Sequence, residues 1–136
     1  MDKFDMLLLG IIEEVFRYSL GDENAKMVFD YLDTKSCPRT EIPRNLGTFS
    51  SELKRMLDSE ESRVERSRAG VQSSALILEE TIVRMLCRSL ARSHVKLRHV
   101  HLNEMKDISF EDFIHRLKQA YFAERRNHRI TQSAQA

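Results

Sequence analysis

The sequence predicts an all-α fold, a single bundle of five to six helices in 136 residues. Three observations predict it. Apolar residues recur at steps of three and four, the spacing that lines one side of a helix. Four glycines and two prolines are too few for the many turns of a sandwich or barrel. A content of 41% hydrophobic and 32% charged residues supplies one core under a charged surface, which excludes a disordered chain. The length is that of one domain, expected over residues 1–126, with 127–136 as a polar, disordered tail.

The elements follow in order. Phe4, Leu8, Ile11, Val15 and Tyr18, flanked by Leu7, Ile12 and Phe16, form the inward stripe of a first helix that Gly21 ends. Asp22 is placed to cap a second helix, which buries Ala25, Val28, Phe29 and Leu32. Ser36-Cys37-Pro38 breaks it, and Thr40 caps a short helix with Ile42 inward, Pro43 in its first turn and Gly47 at its end. Thr48 or Ser50 then opens a helix through Phe49, Leu53, Met56 and Leu57. The stretch from Asp58 to Gly70 is polar apart from Val64 and reads as an exposed linker or a frayed helix.

The strongest pattern follows at Val71, Ala75, Leu78, Ile82, Met85 and Ser89, reinforced by Leu86 and Leu90. His94 to Leu102 fits either an extended piece or a fraying helix end. Ser109 caps the last helix, with Glu111 and Asp112 suited to its positive N-terminus and Phe110, Phe113, Ile114, Leu117 and Tyr121 buried.

The net charge of +1 conceals two opposed parts. Residues 1–34 hold eight acids against three bases, a net −5, and residues 35–136 hold 19 bases against 13 acids, a net +6. Such parts either attract each other within the fold or leave a basic face for an acidic partner or polyanion. Cys37 and Cys87 form no close pair, so no disulfide framework is expected and a cytoplasmic location is the default. The apolar run Leu7–Ile12 is bounded by Asp5 and Glu13-Glu14, too short and too acidic for a signal peptide or a membrane span.

Nothing in the chain points to catalysis or to a cofactor. No phosphate loop, dinucleotide fingerprint, nucleophile elbow or zinc-protease motif is present. The adjacent acids Glu13-Glu14, Glu60-Glu61, Glu79-Glu80 and Glu111-Asp112 point about 100° apart on a helix and do not converge on one atom. Glu80 precedes Arg84 by four residues, the order of an ordinary surface ion pair. Cys87, His94, His99 and His101 lie close in sequence but lack the tight paired spacing of a closed zinc site, so no metal is expected.

The most specific feature is a basic ridge. Arg84, Arg88, Arg92 and Lys96 recur every four residues, joined by Arg98, with no acid between Glu80 and Glu104. It reads either as a solvated helix end, favoured by the helix dipole, or as a contact surface for an acidic protein partner or nucleic acid, the latter extended by Arg125, Arg126 and Arg129. The 71–90 stripe could also bury itself in a homo-oligomer. An alternative nucleic-acid surface comes from residues 25–57, whose helix, break, short helix and helix resemble helix-turn-helix punctuation and would turn Ser50, Ser51, Lys54 and Arg55 to the groove. Against nucleic acid stands the near-neutral charge of the whole chain.

The run from Gly21 to Leu32, with Thr40-Glu41-Ile42-Pro43, Phe49 to Leu57, Leu78 to Ile82 and Ser109 to Ile114, resembles the archaeal Nitrosopumilus output domain family over residues 4–122. The long charged stretch Asp58–Ser74 departs from the short glycine-containing connection that family leads one to expect. The resemblance implies an all-helical, non-enzymatic output or adaptor domain in archaeal signalling or regulation. The family has no established catalytic residues, so none is carried over.

Overall fold

Five α-helices and one 3-10 helix pack around one apolar core, with no strand among the described residues. The computed structural model describes residues 2–58, 74–93, 95 and 107–135, with side chains up to residue 126. The α-helices are α1 (Lys3–Leu20), α2 (Asp22–Thr34), α3 (Leu46–Leu57), α4 (Ser74–Arg92) and α5 (Phe110–Gln135), and the 3-10 helix is Arg39–Arg44. The expected linker 59–70, Val71 and most of the ambiguous 94–102 stretch lie outside the described residues.

Helix α1 is the centre of the bundle, with α2 on one side and α4 on the other, while α3 packs on both α2 and α4. Its N-terminus is capped by Asp2, whose Oδ1 accepts from the Asp5 amide at 2.8 Å. Phe4, Leu8, Ile11, Ile12, Val15 and Phe16 are buried as the periodicity predicts. Tyr18 is not: it is 85% exposed, because the buried arc is displaced toward Ile12 and Phe16 and position 18 lies about 90° from its centre. Gly21 ends α1 at φ 85° and ψ 161°, a conformation that a side chain strains. Gly21 is also the N-cap of α2, so Asp22 is the first helical residue and favours the positive helix end without acting as the cap.

Three further boundaries move. The short helix is 3-10, opened by Pro38 with Thr40 inside it; it buries Ile42 as expected, while Pro43, expected in the first turn, is its fifth residue and is buried too. Gly47 does not end it. Asn45 precedes α3, and Gly47 sits in the first turn of α3 where Glu111 of α5 crowds against it: a Cβ there would meet Glu111 Oε2 at 2.6 Å. Thr48 and Ser50 are consequently interior to α3 rather than at its start. Helix α5 begins as predicted, with Ser109 Oγ accepting from the Asp112 amide at 3.1 Å. Its backbone stays helical to Gln135, through the segment that composition marks as a tail, since 110–135 hold no glycine or proline to stop it.

A run of phenylalanines joins the helices. Phe16 stacks on Phe29 at 5.2 Å and on Phe49 at 6.0 Å, and Phe49 meets Phe110 at 6.1 Å, so α1, α2, α3 and α5 share one aromatic spine. Such ring pairs are worth about 0.5–1.5 kcal/mol each beyond the area they bury. The predicted stripe of α4 is covered within the chain: Ala75, Leu78, Ile82, Leu86 and Leu90 are buried against α1, α3 and α5. Among the described residues no helix is long and apolar enough to cross a membrane.

The opposed charges of the two parts of the chain meet in part inside the fold. Lys118 of α5 bonds Asp2 Oδ2 at 3.0 Å and Asp5 Oδ1 at 2.9 Å, and Arg39 pairs with Glu13 at 3.6 Å while lying 4.2 Å over the Phe29 ring. Partial burial works to lower the Lys118 pKa, but the hydrogen bonds it donates to Asp5 and Asp2 outweigh this and the ammonium is held above its ordinary value.

Candidate docking surface

Helix α4 divides its residues sharply. One face supplies seven buried residues, from Ala75 to Leu90. On the other, Ile77, Thr81, Arg84 and Arg88 fall within an arc of about 60°, with Arg92 about 20° beyond its edge. Ile77 is 45% exposed, one of the few large apolar side chains left open to solvent. Arg84, Arg88 and Arg92 are all exposed. None of the three makes an ion pair with another described residue, and the expected Glu80–Arg84 pair does not form. The structure therefore brings three of the five ridge residues onto one strip, while Lys96 and Arg98 lie outside the described residues.

The helix-turn-helix reading loses one of its four contacts. Ser50 is 9% exposed and donates to Glu79 Oε1 at 2.6 Å, because helix position 50 follows Phe49 and Leu46 onto the α3 face that packs against α4. Ser51, Lys54 and Arg55 are exposed. Arg55 is held at 3.3 Å by Glu52, which also accepts from the Tyr31 hydroxyl at 2.9 Å. Two of the four groups proposed to face a groove are thus engaged within the chain.

In the sequence Glu79 stands out only as an acid adjacent to Glu80. It is 3% exposed, because it falls on the inward period set by Ala75, Ile82 and Leu86. Burial pushes its carboxyl above the ordinary value; the Ser50 hydrogen bond and the Lys54 charge oppose this, and the Asp58 charge adds to it. Asp58, also buried, accepts from the Ser74 amide at 3.1 Å. That bond caps the start of α4 from the end of α3 and holds together the two ends of the intervening segment.

Among the described residues the remaining candidates do not come together. Cys37 and Cys87 are free thiols, and burial pushes both above the ordinary thiol value. Among the described residues no three histidine, cysteine or acidic side chains cluster to hold a metal, and His94, His99 and His101 are not among them. A shallow groove of about 530 Å³ on α5 is lined by His115, Lys118, Gln119, Phe122 and Arg126, with Lys118 already bound by Asp2 and Asp5. No protein-family model matches the chain, and neither curated proteins nor solved structures yield a match. Function must be read from this chain's own residues.

Proposed function

We propose that the chain is a non-enzymatic helical interaction domain, serving signalling or regulation, that docks an acidic protein surface on the outward strip of α4. The observation that supports this reading is the exposed trio Arg84, Arg88 and Arg92, without ion pairs to described residues in a chain that carries 21 acids. The dipole of α4 accounts for a cation in its last turn, where Arg92 stands, but its influence fades before Arg84, two turns further in. An output or adaptor role of the kind the family resemblance implies needs such a surface. A protein partner is preferred to nucleic acid because three arginines give few phosphate contacts and the α3 alternative has lost Ser50 to the interior.

The test is the double reversal Arg88→Glu with Arg92→Glu. A partner crosslinked to the wild-type chain in native extract should be lost, with far-ultraviolet circular dichroism unchanged. Undiminished crosslinking by a folded variant would sink the proposal. A mobility shift of duplex DNA at low salt, lost in the variant, would transfer the strip to nucleic acid.

A further inference from the structure

Two outward strips of opposite sign carry charge that no ion pair between described residues answers. Glu13, Asp2 and Asp5 are answered by Arg39 and Lys118. Glu23 and Asp30 of α2 are exposed and pair with no described residue. Together with Met27 they occupy an arc of about 60° on the outward face of α2, bordered by the exposed Lys26 about 40° round from Asp30. Asp33, also exposed, continues the acidic character at the end of the helix. Met27 is 61% exposed. The α4 strip has the complementary composition, three arginines and the exposed Ile77. Both helices pack on α1 and α3 rather than on each other, so the two strips do not neutralise one another within one chain.

We infer that the acidic surface docked by α4 is that of a second copy of this chain, whose Glu23, Met27 and Asp30 seat against Ile77, Arg84, Arg88 and Arg92. The inference rests on the docking role proposed above and names its partner. Because the surfaces differ, the contact is head-to-tail, and every added copy presents one fresh strip of each sign; such contacts close into a ring or continue as a filament. Exposed ion pairs are individually weak and screened by salt, so the association is concentration-dependent and salt-sensitive.

Light scattering of the full chain across a concentration series tests it. At about 50 mM salt the mass should rise from the 16.0 kDa monomer toward multiples of it, and at about 500 mM salt it should return to the monomer. Arg88→Glu with Arg92→Glu, and separately Glu23→Gln with Asp30→Asn, should each stay monomeric. An equimolar mixture of the two variants should regain a species of twice the monomer mass, since each retains the face the other lacks. A wild-type chain that stays monomeric at low salt, or variants that do not complement each other, would overturn the inference. If the wild-type chain is monomeric and yet Arg88→Glu with Arg92→Glu abolishes crosslinking to another acidic protein, the docking role stands and the second copy is excluded.

Discussion

Ser50→Ala tests the tie between α3 and α4. The Ser50 hydroxyl lies 2.6 Å from Glu79 Oε1, and both residues are buried. Where Glu79 is ionised the bond reaches a charged acceptor, and its loss costs about 1.5–3 kcal/mol. The variant recovers part of this, because removing a bond that holds the Glu79 pKa down lets the carboxyl take up a proton more readily. At about pH 4 the carboxyl is protonated, the bond joins neutral groups, and its loss costs about 0.5–1.5 kcal/mol. The difference between variant and wild type should therefore shrink by about 1 kcal/mol on acidification. Against a domain stability of about 5–15 kcal/mol these changes are resolvable by urea unfolding followed by circular dichroism at the two pH values. A loss below about 0.5 kcal/mol at neutral pH, or a loss that grows in acid, would refute the buried hydrogen bond. It would also return Ser50 to the set of exposed residues available for nucleic-acid contact.

Three other outcomes follow from the same packing. Burial raises the Glu79 pKa in the folded state, so its ionised form costs stability as pH rises above the ordinary value of 4.5, fully so above the folded value; Glu79→Gln should raise the urea midpoint at neutral pH and lose that advantage toward pH 4. Gly21→Ala should cost about 1–3 kcal/mol in thermal or urea unfolding because of its positive φ, whereas Gly47→Ala, helical and opposed only by the movable end of Glu111, should be neutral or gain up to about 1 kcal/mol. Phe49→Ala removes the ring shared by Phe16 and Phe110 and should lower stability by about 3–5 kcal/mol, measured by urea unfolding.

Much of the architecture was legible because periodicity and burial have one cause: a helix that buries an apolar arc repeats it every three or four residues. The stripes of α1, α2, α4 and α5 were read that way, and most of their members are buried. The errors fall where local chemistry competes with packing. Glycine often ends helices, which makes Gly47 read as a stop, yet it lies inside α3 beside Glu111. Glu79 stands in the sequence only as an acid adjacent to Glu80, although it occupies an inward position of α4 where acids are rare. Ser50 was turned outward by analogy with a punctuation pattern that any small bundle produces.

The sequence by itself determined an all-helical bundle, the inward face of each long helix, and the division into an acidic start and a basic remainder. These follow from residue order alone, since helical geometry maps spacing onto faces and charge is additive. Only the tertiary structure decided which charges are answered. Asp2, Asp5 and Glu13 meet Lys118 and Arg39 across long sequence separations. Asp58 turns inward to cap α4, and Arg84, Arg88 and Arg92 stand exposed on a strip of their own, without ion pairs to described residues. Such pairing depends on which helices become neighbours, and that is set by the burial of apolar surface, a force without direction that is indifferent to the charges it carries along.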